Sequence, residues 1–204
     1  MLRAAFNVLR KYSRPLGVYL HVARSTLNAA REAMNDRLAK IKLLLLDVDG
    51  VMTDGRIIFD SNGIESKFFN VKDGHGIKLL QRAGIEVGIV SGRKSQVVTN
   101  RAAELGIARV FQGTLDKLAV YREILAETGL ADDQIAFMGD DVIDIPVLSR
   151  VGFAAAPADA VEEVLPHAHF VARNRGGWGA VRELCDLILK GQGAWEQVTS
   201  RYFL

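Results

Sequence analysis

Cysteine and long apolar runs are scarce in this 204-residue chain, and each scarcity excludes a class of protein. The single cysteine, Cys185, excludes an internal disulfide and is typical of a reducing compartment. No Cys and His residues are grouped at the spacing of zinc ligands. No apolar run approaches the roughly 20 residues that a helix needs to span a bilayer. We therefore expect a globular cytoplasmic protein without a zinc site.

The net charge of +2 is small but unevenly distributed. Residues 1–40 contain eight Lys or Arg and two acidic residues, so this segment carries +6 and the remainder −4. An acidic body argues against a nucleic-acid-binding surface. The basic segment has apolar residues at helical spacing, interrupted at Pro15. We interpret residues 1–40 as a peripheral helical extension, with a docking helix, a membrane-surface helix and a targeting segment as the competing explanations.

The rest of the chain alternates short apolar runs with helical patterns, which predicts βαβ units and a parallel sheet, hence an α/β fold. We assign residues 41–190 to one domain and 191–204 to a C-terminal tail. Asn62-Gly63 lies between two β-rich runs and predicts a hairpin insert at about residues 55–70. Beyond the second acidic cluster, the pattern predicts a helix near 160–165, a strand at 169–172 and a long helix from Gly179.

Two apolar runs end in clusters of carboxylates. The run 43–46 is followed by Asp47 and Asp49, and the run 135–138 by Asp140, Asp141 and Asp144. In an open α/β sheet, the carboxyl ends of such strands form the active crevice. A lone Asp there is often only a helix N-cap. Five carboxylates in one crevice, however, require a hard cation, which indicates Mg²⁺ and phosphate chemistry.

The position of each side chain suggests its role. Asp47, rigidly held at a strand end, is the candidate nucleophile, and Asp49 is the candidate acid and base. Ser91, at another strand end, and Lys117 would bind phosphate oxygens. Asp140 is the best candidate for a downstream metal ligand, with Asp141 and Asp144 holding ligand and lysine in place.

The ordered set Asp47–Gly50, Val90–Arg93, Asp116-Lys117 and Gly139–Asp144 resembles the haloacid dehalogenase superfamily of phosphohydrolases. The resemblance covers roughly residues 42–190 and implies a Rossmann-like, doubly wound parallel sheet. It also implies that Asp47 is the nucleophile and Asp49 the acid and base. Mg²⁺ would be held by the Asp47 side chain, the Asp49 backbone carbonyl and Asp140.

Three further segments, 47–55, 69–77 and 176–183, are similar to sugar-acid phosphatases within that superfamily. The resemblance implies hydrolysis of a phosphorylated eight-carbon keto acid on the route to lipopolysaccharide, a minimal β-hairpin cap and a homotetramer. The segment 176–183 would close an active site, that of the neighbouring subunit. Substrate-binding positions of these phosphatases fall on Asp49, Asn70, Val71, Lys72, Asp73, Gly74, Lys78, Arg93, Arg101 and Lys117.

Two residues depart from this pattern, and two other functions remain open. Lys78 and Trp178 stand where these phosphatases commonly have arginine, which puts the exact sugar in doubt. A nonulosonate 9-phosphate phosphatase is one alternative. A phospho-accepting receiver module, which also uses clustered Asp residues, a hydroxyl, a Lys and Mg²⁺, is the alternative from another class. The cationic substrate-binding candidates could also be solvated helix-face charges.

Overall fold

A computed structural model of the chain describes residues 29 and 31–203. The chain divides into two compact units, Met1–Asp36 and Arg37–Leu204. Residues 29 and 31–38 are helical. Most of the predicted basic extension, residues 1–28 and residue 30, lies outside the described residues. None of the helices in the described part of the chain has the length and apolarity to cross a bilayer.

A six-stranded parallel sheet forms the centre of the second unit. Its strand order is β5-β4-β1-β6-β7-β8, so the chain first extends the sheet to one side of β1 and then to the other. The strands are β1 (Leu43–Leu46), β4 (Glu86–Ser91), β5 (Arg109–Gln112), β6 (Ile135–Met138), β7 (Phe153–Ala156) and β8 (Phe170–Val171). This arrangement confirms the predicted doubly wound α/β fold.

The sheet is buried because apolar side chains project from both of its faces. Leu43 and Leu45 pack with Phe137, Tyr121 and Ile124 in one core cluster. Leu44 and Leu46, which are equally buried, point to the opposite face because side chains alternate along a strand. The helices are α1 (Val71–Arg82), α2 (Gln96–Leu105), α3 (Lys117–Thr128), α4 (Ile145–Leu148), α5 (Ala180–Gly191) and α6 (Trp195–Thr199).

The predicted hairpin is present as two short antiparallel strands, β2 (Ile58–Phe59) and β3 (Glu65–Ser66). The Asp60 carboxylate accepts hydrogen bonds from the backbone N–H groups of Asn62 and Ile64, both at 2.8 Å. Gly63 has φ +79°, a conformation that glycine adopts without steric cost. The turn is thus stabilised by its own sequence.

Two segments differ from the predicted secondary structure. No α-helix forms at 160–165, where Val164, Leu165 and His167 instead donate to carbonyls three residues earlier. Pro166 has no backbone N–H, so it cannot donate to the Glu162 carbonyl the bond that would continue an α-helix. The predicted tail 191–204 contains α6, whose Val198 and Thr199 are buried, and a 3₁₀ turn, Ser200–Tyr202.

Candidate active site

Three neighbouring strands deliver polar residues to one edge of the sheet. Asp47 follows β1, Ser91 is the last residue of β4, and Asp140 follows β6 after Gly139. The backbone N–H of Asp47 donates to the Met138 carbonyl at 3.0 Å, which extends the β1–β6 pairing by one residue. The Asp47 side chain therefore starts from a rigid backbone at the carboxyl edge of the sheet.

A buried lysine joins the two acidic clusters. The Lys117 ammonium, at the start of α3, lies 3.0 Å from Asp47 Oδ1 and 2.6 Å from Asp144 Oδ1. Burial by itself lowers the pKa of Lys117, but the two carboxylates outweigh it and leave this pKa raised. Lys117 therefore remains charged and fixes Asp47 relative to Asp144.

Asp144 also organises the loop that carries Asp140. Its Oδ2 accepts hydrogen bonds from the backbone N–H groups of Asp140 at 3.0 Å and Asp141 at 3.3 Å. Asp144 is fully buried at the end of a short 3₁₀ helix, Val142–Asp144. The Asp141 carboxylate accepts from the Val142 N–H at 2.6 Å, so it stabilises the start of that helix.

Three carboxylates converge at a point where a cation fits. Oxygens of Asp47, Asp140 and Asp144 lie within 4.8 Å of one another. Asp140 Oδ1 is buried and, among the described residues, lacks a hydrogen-bond partner. Burial, reinforced by Asp47 and Asp144, raises the pKa of Asp140 to about 8. Burial likewise raises the pKa of Asp47 to about 6, although Lys117 opposes this shift. A hard divalent cation would satisfy the free oxygen and offset the crowded charge.

Gly50 allows the Asp140 carboxylate to lie against the first loop. Its φ of +88° is in the left-handed region, and a Cβ built on it would overlap Asp140 Oδ2. Asp140 can therefore reach the backbone of the Asp49-Gly50 loop only because residue 50 lacks a side chain.

These residues line a cavity of about 250 Å³. Its volume is sufficient for a phosphate group and part of a small substrate, but it is small for a complete ligand site. The lining residues are Asp47, Asp49, Ser91, Gly92, Arg93, Leu115, Lys117, Asp140, Asp141 and Ile143. The structure thus brings to one cavity all five residues predicted to act in catalysis or metal binding, Asp47, Asp49, Ser91, Lys117 and Asp140. Of the two residues predicted to hold them in place, Asp141 also lines the cavity, and Asp144 is paired with Lys117.

Two hairpin residues that the sequence pattern did not predict, Lys67 and Glu65, also contact this site. The buried Lys67 ammonium contacts Asp49 Oδ1 and lies 3.5 Å from Glu65 Oε1. Glu65 also contacts the Ser95 hydroxyl and accepts from Arg93 at 3.1 Å. The available signal was the two-residue spacing of Glu65 and Lys67, which places both side chains on the same face of an extended strand.

The start of α1 carries several predicted substrate-binding residues, which make contacts within the chain. Asn70 is the N-cap of α1: it accepts from the Lys72 N–H at 2.8 Å and donates to the Gly177 carbonyl at 3.3 Å. Val71 and Lys72 are exposed. Asp73 is buried and accepts from the Arg182 N–H at 2.7 Å, so it caps α5, whose own N-cap residue is Gly179.

Arg101 and Lys78 lie on the α1–α2 side, and neither lines the cavity. The Arg101 guanidinium lies 5.7 Å from the centre of the Phe69 ring, and a Cβ on Gly74 would overlap it. The Lys78 ammonium donates to the Leu105 carbonyl at 2.7 Å, at the C-terminal end of α2. The structure therefore does not bring Lys78 to the carboxylate cluster.

The glycine-rich segment packs against the first acidic loop of its own chain. The Gly177 N–H donates to the Val51 carbonyl at 2.9 Å, and a Cβ on Gly176 would overlap the Gly50 carbonyl. Arg173 forms an ion pair with Glu183 at 2.9 Å. Within one chain, this segment therefore packs against the loop that carries Asp49. The closure of a neighbouring subunit's site by the same segment stays a prediction.

Comparisons with known proteins agree with this geometry. Residues 95–182 match the family of haloacid dehalogenase-like hydrolases. A 3-deoxy-D-manno-octulosonate 8-phosphate phosphatase of Yersinia pestis is 49% identical over 163 residues, which is 80% of this chain and 87% of that protein. A crystal structure of the phosphatase of that name from Y. pestis superposes with a TM-score of 0.79 at 48% identity, covering 80% of this chain and 89% of that one.

A second solved structure contains ligands. It is the 3-deoxy-D-manno-octulosonate 8-phosphate phosphatase of Moraxella catarrhalis, in complex with a magnesium ion, a phosphate ion and KDO. It is 36% identical, has a TM-score of 0.81, and the match covers 83% of this chain and 97% of that one. These matches favour a hydrolase over a receiver module. The chain belongs to the haloacid dehalogenase-like hydrolases and, within them, to the family of 3-deoxy-D-manno-octulosonate 8-phosphate phosphatases.

Proposed function

We propose that the protein is a Mg²⁺-dependent phosphatase that hydrolyses 3-deoxy-D-manno-octulosonate 8-phosphate through an aspartyl-phosphate, in the pathway to lipopolysaccharide. The observation that carries this proposal is the convergence of the Asp47, Asp140 and Asp144 carboxylates, two of which, Asp47 and Asp144, are paired with the buried Lys117. A nucleophile, a cation site and a fixed positive charge are the parts that phosphoryl transfer requires. The relatives of that name support the choice of substrate.

In the proposed reaction, an Asp47 oxygen attacks phosphorus while the bond from phosphorus to the sugar oxygen breaks. Asp49 gives its proton to the departing oxygen. Asp49 then takes a proton from a water molecule, which attacks phosphorus and breaks the bond to Asp47. Inorganic phosphate leaves, and both carboxyl groups return to their starting states. Ser91 and Lys117 would hold the phosphate oxygens throughout.

The side chains of Asp47 and Asp140 and the backbone carbonyl of Asp49 would hold Mg²⁺. The unpartnered Asp140 oxygen and the side-chain-free position at Gly50 are the structural observations that support this assignment. When bound, Mg²⁺ would offset the negative charge of the carboxylates and the phosphate. Asp144, neutralised by Lys117 and hydrogen-bonded to the loop, would orient Asp140 rather than bind the metal.

A sugar-acid phosphate carries a carboxylate as well as the phosphate, and cationic residues can recognise both. Arg93 lines the cavity and is the best placed of them. Lys72 and Arg101, together with the backbone around Asn70–Gly74, would contact the sugar-acid end. Lys78 could take part only after releasing the Leu105 carbonyl, so it is the weakest member of the predicted set.

The experiment that tests this function is a phosphate-release screen over sugar-acid phosphates, with the eight-carbon and nine-carbon compounds side by side. We expect the highest kcat/KM for 3-deoxy-D-manno-octulosonate 8-phosphate, loss of activity in EDTA and its return with Mg²⁺. A higher kcat/KM for the nonulosonate 9-phosphate would transfer the assignment to that substrate. Turnover that persists in EDTA would contradict the proposed metal requirement.

Substitution of Gly50 by alanine is expected to weaken Mg²⁺ binding by at least about tenfold, because the new methyl group displaces Asp140. Gly63→Ala is the matched control. Gly63 has a similar φ, +79° against +88°, so both variants carry the conformational cost of about 1–2 kcal/mol. Among the described residues, however, no atom lies within 4 Å of a Cβ on Gly63.

Two titrations measure this effect: Mg²⁺ against activity, and Mg²⁺ against the melting temperature. Only Gly50→Ala should shift both curves to higher metal concentration. Equal metal curves for the two variants would show that Asp140 does not bind the ion.

We also propose that the enzyme is a cytoplasmic homotetramer. The hairpin and its surroundings expose a group of large apolar side chains, Ile57, Phe59, Ile64, Phe68, Val71 and Trp178. A concentration of exposed apolar groups of this kind is typical of a protein interface. The buried free thiol of Cys185 suits a reducing compartment. Sedimentation equilibrium of the full chain measures the assembly, and a monomer would contradict it.

A further inference from the structure

Each carboxylate of the first acidic loop has its own buried lysine. Asp47 is paired with Lys117, which arrives from α3, and Asp49 is paired with Lys67, which arrives from the hairpin. Both lysine side chains are 1% exposed. The first pair belongs to the phosphoryl-transfer site, whereas the second has no part in binding the phosphate or the cation there.

Lys67 is the main restraint on the Asp49 side chain. Asp49 lies in the turn after β1, and its side chain is 21% exposed. Among the described residues, the Lys67 ammonium alone forms a hydrogen bond with the Asp49 carboxylate. Without this contact, the Asp49 side chain could exchange between its rotamers.

Lys67 is itself fixed by a second carboxylate. Glu65 lies 3.5 Å from the Lys67 ammonium. Glu65 is in turn held by the Ser95 hydroxyl and by Arg93, both from the segment after β4. The Ser95 contact, followed by those of Lys67 and Arg93, holds the pKa of Glu65 below its usual value, so Glu65 is a carboxylate. Charges of opposite sign therefore follow one another in the series Asp49, Lys67, Glu65 and Arg93. These ion pairs hold the hairpin against the loop that carries Asp49.

The position of Lys67 distinguishes it from a substrate-binding group. Asp49 lines the cavity, whereas the Lys67 side chain is buried and is not among the lining residues. Its charge is already compensated by two carboxylates, and removing a buried ammonium from such partners is costly. Lys67 therefore acts through Asp49 rather than on the substrate.

We infer that Lys67 is a positioning residue, which holds the Asp49 carboxyl group in the orientation from which, when protonated, it gives its proton to the departing oxygen. This inference rests on the proposed function, since it assumes that Asp49 is the general acid. The hairpin would then contribute to catalysis, because it carries the lysine that orients the Asp49 side chain.

The test compares two small esters that both lack a sugar-acid carboxylate, glycerol phosphate and p-nitrophenyl phosphate. The glycerol oxygen must be protonated as it departs, because an alkoxide is a poor leaving group. The p-nitrophenolate anion is stable and departs without a proton. For both esters, kcat/KM reports the steps up to departure of the leaving group. We expect Lys67→Met to lower kcat/KM about 100-fold for glycerol phosphate, the low end of the range for a general acid, and less than about fivefold for the aryl ester.

Four further variants, one of them a double substitution, make the result specific. Asp49→Asn should show the same leaving-group pattern, and adding Lys67→Met to it should cause no further loss, because the two residues act as a unit. Lys67→Arg keeps the charge with altered geometry and should recover part of the glycerol phosphate activity. Arg56→Met removes an exposed cation from the same hairpin and should leave kcat/KM for both esters unchanged. Melting temperatures establish that each variant is folded.

Different outcomes would overturn the positioning role of Lys67 and the proposed function of the enzyme. Equal losses of kcat/KM for the two esters in Lys67→Met, or additive losses with Asp49→Asn, would overturn the positioning role while the wild-type activity stands. If Lys67→Met does not fold, a Lys67→Arg variant with equal losses for both esters overturns it in the same way. A wild-type enzyme inactive on every phosphate ester would instead overturn the proposed function.

Discussion

Asp47→Asn is expected to lower kcat by at least a thousandfold, which corresponds to about 4 kcal/mol of activation free energy. The amide keeps the size of the side chain and can still contact Lys117, so the fold should persist. An amide cannot, however, act as the nucleophile that forms the aspartyl-phosphate. The measurement is steady-state release of phosphate, with acid quenching of labelled substrate to trap the covalent phosphoenzyme.

Asp133→Asn is the matched control for this substitution. Asp133 also changes from carboxylate to amide, but it lies on the surface in an exposed pair with Lys40. Its kcat and its phosphoenzyme signal should equal those of the wild type. If Asp47→Asn retained more than a thousandth of the wild-type rate, or still became labelled, covalent catalysis by Asp47 would be wrong.

The strand ends could be predicted from the sequence because their signals are local. A four-residue apolar run followed at once by carboxylates is typical of a buried parallel strand that ends at an active edge. Both Asp47 and Asp140 lie where this pattern predicted them. Lys117 was harder to predict, because only the packing of α3 against the sheet brings its ammonium between Asp47 and Asp144.

Lys67 and Lys78 show where sequence reasoning stops. Lys67 reaches Asp49 because the hairpin folds back over the loop, a contact that spans 18 residues and depends on the direction of the hairpin. Lys78 was predicted near the substrate, yet its position on α1 directs its ammonium to the end of α2. In both cases a charged side chain has several carboxylates or carbonyls within reach, and tertiary packing selects one. The prediction of a helix at 160–165 was wrong for a local reason, since Pro166, the next residue, lacks the backbone N–H that an α-helix would use.

Lys117→Met is expected to be the most destabilising of the substitutions considered for this site. It leaves the Asp47, Asp140 and Asp144 carboxylates together without their buried ammonium. Removing one partner of a buried ion pair typically costs about 3–5 kcal/mol, because the remaining charge is uncompensated. Lys40→Met, which breaks the exposed pair with Asp133, should cost less than about 1 kcal/mol. Urea denaturation in EDTA measures both free energies of unfolding.

The dependence of this loss on pH gives a second test. Asp47 and Asp140 have pKa values raised to about 6 and about 8, above the value of 3.8 for an unperturbed Asp. The folded protein therefore binds more protons than the unfolded chain between about pH 4 and 8. Through these two groups, its free energy of unfolding falls as the pH rises through that window. Without Lys117 the repulsion among the carboxylates is stronger, so the deficit of Lys117→Met should be larger at pH 8 than at pH 5.

Adding Asp144→Asn to Lys117→Met should then restore part of the lost stability, since it removes one of the uncompensated charges. Mg²⁺ should likewise stabilise Lys117→Met more than the wild type at pH 8, because it supplies positive charge to the same carboxylates. A deficit that is independent of pH, of Asp144 and of Mg²⁺ would show that Lys117 contributes by packing alone. In that case the three carboxylates would not repel one another strongly enough to require positive charge, which would contradict the cation site proposed between them.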